Sequence, residues 1–269
     1  FYGAYISAAS QNNFISYSTM VGIGGNGYYV TNSDSNTATR SSMSGGNSGG
    51  YFNTGSSYNL ISYSTMTGSS YGLYGNTSVS NTVTQSYLQG VTNGVALFVN
   101  SDANTISFST LTATAVGGAG LYFDNASTNT VTGCFLQAAA WLGANLLNSS
   151  NHNTVRISTV ISNTVTYDAM DITAGSSNTI VDSYIQGSSA VVLSGSTGTV
   201  IGNSILVATN TTGASLVLTG GNVNVSVSSS ILSAFKGTPG AAALYLDPNN
   251  RGWLVFSTNT LTGGQYGAY

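Results

Sequence analysis

Asn81-Thr82-Val83-Thr84, Asn104-Thr105-Ile106-Ser107 and Asn129-Thr130-Val131-Thr132 are three copies of one phrase. Each is followed by an aliphatic residue at the eighth position counted from Asn: Leu88, Leu111 and Leu136. Working outward, further copies start at Asn13, Asn36 and Asn59 before them and at Asn153 and Asn178 after them. Degenerate copies follow near Gly198, Asn224 and Leu254. From Asn13 to Asn178 the starts lie 22 to 25 residues apart. A globular domain has no reason to keep such a period, whereas an array needs it, because each unit buries its apolar side on the next.

The residues within the phrase choose strand over helix. Val, Ile, Thr and Tyr alternate with polar residues at a period of two, and Gly, Asn and Ser fill the intervals as turn formers. At about 3.3 Å per residue, one period with its corners makes a three-sided coil of short strands. The third and eighth positions are predicted to face inward, so Val83, Ile106, Val131 and Ile180 form one stacked column and Leu88, Leu111, Leu136 and Ile185 another. The recurring Asn falls at one corner, where stacked amides can bond to each other and to turn backbone, and where Asn tolerates left-handed φ. Cys134 stands where neighbouring coils carry Ser86 and Ser109, which predicts a buried small residue and not a reactive thiol.

The phrase Asn-Thr-Ile-Ser…Ser-x-Leu/Ile resembles the repeat of right-handed parallel β-helices, the fold of pectate lyases, phage tailspikes and many bacterial surface proteins. The resemblance implies an all-β, single-stranded right-handed parallel β-helix of about eleven coils of 20–30 residues. It covers 1–269 as a single domain, with uncapped ends and a length of roughly 50 Å. That group contains glycan-cleaving enzymes, adhesins and structural repeat proteins, so the fold does not fix the activity.

Composition narrows the choice. Only 4% of the 269 residues are charged, against about 25% in an average soluble domain. The four basic residues, Arg40, Arg156, Lys236 and Arg251, are scattered, so no stripe exists to neutralise phosphates and nucleic acid is not an expected partner. A hydrophobic content of 41% excludes a charged disordered chain. No apolar run is long enough for a transmembrane helix. With so few charges, solubility rests on hydroxyls and amides, which suits an extracellular or cell-surface object.

The acids are the residues that could carry chemistry, since hydrolytic glycan cleavage needs clustered carboxylates. Asp168 and Asp171 share one coil and Asp182 lies on the next, making this trio the best catalytic candidate of an otherwise non-enzymatic reading. No spacing typical of metal ligation or a phosphate loop is present, and no cofactor is expected. The outward second and fourth positions of the phrase carry hydroxyls: Thr82 and Thr84, Thr105 and Ser107, Thr130 and Thr132. Such a double column resembles the face of ice-binding β-solenoids. Tyr17 and Tyr63 share one offset with Phe108, an aromatic column suited to stacking on sugar rings.

The chain opens Phe1-Tyr2-Gly3-Ala4-Tyr5 and closes Gln265-Tyr266-Gly267-Ala268-Tyr269, the same phase of the coil. Open terminal coils are unpaired edges. The expectation is therefore a non-enzymatic extracellular structural or adhesive solenoid, a segment of a longer repeat protein or a filament protomer that self-associates through end coils. A polysaccharide-binding or polysaccharide-cleaving β-helix is the alternative, and an ice-binding surface is third.

Overall fold

A computed structural model describes residues 1–235 and 241–263, together with the backbone of 266–268. Every regular element in it is a strand, and all pairings are parallel between successive coils. The described strands form three sheets, one of twelve strands and two of eleven. One coil shows the plan. Tyr71–Asn76 belongs to the twelve-stranded long sheet, Thr82–Thr84 to the sheet built from the repeat phrase, and Tyr87–Gly90 to the third sheet. The next coil repeats this with Asn93–Phe98, Thr105–Ser107 and Thr110–Val116, in register throughout the phrase sheet.

The phrase strands are three residues long, and from Thr37–Thr39 to Val200–Gly202 the middle residue faces inward, which gives the buried column Ala38, Ile61, Val83, Ile106, Val131, Val155, Ile180 and Ile201. Met43, Met66, Leu88, Leu111, Leu136, Val160, Ile185 and Leu206 form the corresponding column of the third sheet. One continuous apolar core runs from Ile6 to Leu244. Each column residue rests on its equivalents one coil above and below, so burial is nearly complete without any large side chain being required.

Two polar ladders finish the corners. In the first, Asn Oδ1 accepts the backbone N–H of the preceding Asn and, from Asn13 as far as Asn129, its Nδ2–H as well. The bonds are 3.0 and 2.8 Å for Asn13 to Asn36, and 2.9 and 3.0 Å for Asn59 to Asn81. These Asn residues do not themselves take left-handed φ, contrary to the sequence expectation. That conformation falls on the residue before each, as at Ser35, Tyr58, Ser80 and His152, which frees Asn to point inward. In the second ladder the backbone N–H groups of Ser41, Ser64 and Ser86 donate to the Oγ of Ser64, Ser86 and Ser109, all at 3.1 Å. Cys134 occupies that column, buried as expected, and burial pushes its thiol up to about 11.

Between the phrase sheet and the third sheet the corner is a single left-handed residue: Tyr17, Arg40, Tyr63, Gln85, Phe108, Gly133, Ile157 or Asp182, with φ from 46° to 63°. Left-handed φ costs a non-glycine residue about 1–2 kcal/mol. It is held because the corner N–H continues the inter-coil ladder, as Tyr63 to the Thr84 carbonyl and Gln85 to the Ser107 carbonyl. The side chain of this residue is thrown outward, one per coil. Of the two matching terminal phrases, Gln265 and Tyr269 lie outside the described residues, while the backbone of Tyr266–Ala268 pairs with the strand Ala242–Leu246.

Candidate functional site

The acids separate cleanly into structural and unassigned. Asp34 Oδ1 accepts the backbone N–H of Ser57 at 2.8 Å, and Asp102 Oδ1 that of Ser127 at 2.6 Å. Asp168 Oδ1 accepts the N–H of Ser189 at 2.8 Å. Asp124 accepts Asn148 Nδ2 at 2.8 Å, and Asp247 accepts the N–H of Asn249 at 2.8 Å. These five tie corners together, as short acceptors do in turns. Asp171 and Asp182 make no such bond.

Asp171 projects from the outer face of the long-sheet strand Met170–Thr173, between the inward Met170 and Ile172. Its Oδ1 is buried and accepts no hydrogen bond, and in-register Asn145 on the preceding strand has a buried, unpartnered Oδ1 as well. Burial, reinforced by the nearby Asp168 charge, pushes the Asp171 carboxyl up to about 7. Asp182 is the left-handed corner residue between the strands Thr179–Val181 and Tyr184–Gly187. The trio is therefore divided: Asp168 lies near enough to Asp171 for its charge to act on it, and Asp182 stands exposed at a corner that the long sheet does not reach. Among the described residues no group of three or more His, Cys, Asp or Glu side chains gathers into a metal site.

The hydroxyl columns are formed but unequal. Thr82, Thr105 and Thr130 are half-buried on the outer face. In the second column Thr84 and Thr132 are half-buried, but Thr39, Ser62 and Ser107 are nearly closed off. There the hydroxyls bond along the column, Ser62 Oγ to Thr39 Oγ1 at 2.9 Å and Ser107 Oγ to Thr84 Oγ1 at 2.8 Å. The second column is thus partly closed by its own hydroxyl bonds, while the first stays open to solvent on one side.

The corner column is the most developed surface. Tyr17 is 76% and Tyr63 53% exposed, and the Arg40 guanidinium lies between their rings, 5.6 and 5.3 Å from the two centroids. Two coils on, Phe108 is 67% exposed. A shallow groove of about 580 Å³ lies between Tyr63 and Phe108, lined also by Thr65, Gln85, Tyr87 and Thr110. A second aromatic row escaped the sequence reading. Tyr5, Tyr29, Tyr51, Tyr74, Phe98 and Tyr122 stack along the outer face of the long sheet with centroids 4.7 to 5.3 Å apart. Desolvation within the row pushes the Tyr51 hydroxyl up to about 12.

Three parallel sheets, each strand pairing with its equivalent on the next coil, joined by corners and tied by internal ladders, define a parallel β-helix. The chain belongs to the family described as the right handed beta helix region, whose model matches residues 1–136 and 119–269. No curated protein sequence matches it. Among solved structures it is similar to the Dettilon tailspike protein (gp208), at 12% identity over 90% of this chain, with a TM-score of 0.62. It spans only 61% of that tailspike. It is similar to the A-module of the Azotobacter vinelandii mannuronan C-5 epimerase AlgE6, at 9% identity, covering 90% of this chain and 86% of that one, TM-score 0.61. It is also similar to PfbA, a surface adhesin of Streptococcus pneumoniae, at 13% identity, covering 96% of this chain and 71% of that one, TM-score 0.56. At these identities the likeness is one of fold.

Proposed function

We propose that this protein is a non-enzymatic, extracellular or cell-surface β-solenoid with a structural and adhesive role. The observation that carries the reading is the fate of the acids. Five of the seven Asp residues accept corner hydrogen bonds, and the remaining two lie on different sides of the coil. Acid–base cleavage of a glycosidic bond needs two free carboxyl groups flanking one bond. In contrast, the outer faces carry a continuous aromatic row from Tyr5 to Tyr122 and runs of hydroxyl side chains such as Thr82, Thr105 and Thr130, which serve contact over a long surface. A tailspike and a surface adhesin built on the same fold agree with an external location.

Stacking also supplies a means of assembly. The first-coil strands Ala4–Ile6, Phe14–Ser16 and Thr19–Gly22 each pair on one side only, and Phe14 is 68% exposed beside them. A further coil, whether of the same chain or of a second copy, would continue the core there by the same parallel pairing. Electron microscopy of the purified protein tests this: rods lengthening with concentration are expected, and particles of one fixed length at every concentration would defeat the assembly element. The non-enzymatic element is tested by incubating the protein with neutral and acidic polysaccharides and measuring new reducing ends. None is expected.

A second reading, a polysaccharide-cleaving β-helix, is favoured by one observation. Asp171 has a carboxyl raised to about 7 beside Asp168, and perturbed carboxyls gather at active sites. If new reducing ends do form and Asp171→Asn abolishes them, that reading replaces the first.

A further inference from the structure

The corner column contains two consecutive slots between aromatic rings, and only one is filled by the protein. Tyr17, Arg40 and Tyr63 occupy the same corner position on three successive coils, so the two rings stand two coil spacings apart, about 9.6 Å. The guanidinium of Arg40 fills that slot, lying over both rings. Tyr63, Gln85 and Phe108 repeat the arrangement on the next coils. Here the space between the rings remains open as the groove of about 580 Å³.

Gly133 explains why Phe108 does not close the groove. It is the one glycine among the first eight residues of this corner column, and a Cβ placed on it would lie 2.8 Å from Phe108 Cδ1 and 2.9 Å from Cε1. The Phe108 ring therefore leans over Gly133, away from Gln85. The slot is walled by two exposed ring faces, and every residue lining it is uncharged. The Gln85 amide and the hydroxyls of Thr65 and Thr110 border it, and the Tyr87 hydroxyl donates to Gln89 at 2.9 Å. Aromatic faces are electronegative and attract the weakly positive C–H face of a pyranose ring, while amides and hydroxyls meet its equatorial hydroxyls.

We infer that Tyr63, Gln85 and Phe108 form a subsite for one uncharged pyranose ring of a glycan, stacked between the two aromatic rings and bonded at its edge by Gln85, Thr65 and Thr110. The subsite rests on the adhesive reading and gives it a ligand class and a place. It uses none of the Asp residues and lies away from the outer face of the long sheet.

The test is saturation-transfer difference NMR on the full chain with four neutral hexasaccharides: cellohexaose, maltohexaose, mannohexaose and xylohexaose. At least one is expected to receive saturation from the aromatic resonances. The effect should fall at least tenfold in Tyr63→Ala/Phe108→Ala, severalfold in Gln85→Ala, and not at all in Tyr63→Phe or in the remote Tyr58→Ala. Gly133→Ala pushes the Phe108 ring back into the slot and should weaken binding while leaving the far-ultraviolet spectrum unchanged. Saturation of no hexasaccharide, or a signal undiminished in the double variant, overturns the subsite. In the latter case the adhesive reading survives with its site elsewhere. If the wild type shortens a hexasaccharide and the double variant alone fails to bind it, the subsite stands and the non-enzymatic reading falls.

Discussion

Asn104 Oδ1 accepts two bonds from Asn81, one from its backbone N–H at 2.9 Å and one from its Nδ2 at 3.2 Å. Asn104 in turn donates to Asn129 Oδ1 from its backbone at 2.8 Å, and its own Nδ2 reaches the Ser78 carbonyl at 2.9 Å. A single buried amide thus serves three coils. Asn104→Ala leaves the Asn81 backbone N–H and the Ser78 carbonyl without partners in a closed interior, at about 1–3 kcal/mol for each orphaned group, while Asn81 Nδ2 keeps its bond to the Ser56 carbonyl at 2.9 Å. A total loss of about 3–4 kcal/mol is expected in urea unfolding. Asn13→Ala, at an exposed step of the same ladder, is expected to lose less than about 1 kcal/mol, because water replaces what is removed.

Cys134→Ser restores the serine column. The Ser109 N–H then meets a hydroxyl oxygen, a better acceptor than sulfur, as it does on every neighbouring coil. Stability should be unchanged or higher by about 1 kcal/mol. In the wild type, a thiol reagent at pH 8 should react with native protein far more slowly than with protein in denaturant, since the thiol is buried and pushed up to about 11.

Arg40→Ala removes a cation held by two rings. Exposed cation–π contacts are each worth about 0.5–1 kcal/mol, so a loss of about 1–2 kcal/mol is expected. The loss should be nearly the same at low and high salt, unlike that of a surface ion pair. Comparing thermal melts of both proteins at two salt concentrations checks it.

Asp171 gives stability a pH slope. Its folded carboxyl sits near pH 7, above the usual unfolded value near 4. Between those limits the folded state holds the extra proton, so stability is greatest below about pH 4 and falls as pH rises through about 7. Asp171→Asn should abolish that slope and raise stability at pH 8 by about 1–3 kcal/mol. Urea midpoints of both proteins measured from pH 4 to pH 8 decide the matter.

The phrase sheet and its ladder were legible because their offsets never vary. The left-handed residue and Ser that follow each strand also carry the third sheet in a fixed frame, which is why Leu88, Leu111 and Cys134 were placed correctly. The long sheet was not legible for the opposite reason. Tyr5 precedes Asn13 by eight residues and Tyr29 precedes Asn36 by seven, while Phe98 joins the row from two register positions beyond Ala96, the partner of Tyr74. The corner between them changes length, so a row of rings that is continuous in space drifts in sequence. Arg40 shares the spacing of Tyr17 and Tyr63, yet its sandwich depends on left-handed φ turning all three outward, which the residue types do not announce. The aspartates looked alike in sequence, and only their hydrogen-bond partners separate corner ties from the isolated Asp171.

The Asn ladder changes hands along the rod. It ends at Asn178. The next coil offers Thr199 at that position, with a buried hydroxyl that finds no partner. A second amide pair then begins three residues upstream in the corner, where Asn222 donates to Asn250 Oδ1 from its backbone at 3.0 Å and its side chain at 2.9 Å. Coil boundaries are links in series, so a rod pulled along its axis is only as strong as its weakest boundary. Tension should part the coils of Asn178 and Thr199 before any boundary bridged by an Asn pair, giving this molecule a defined breaking point under shear.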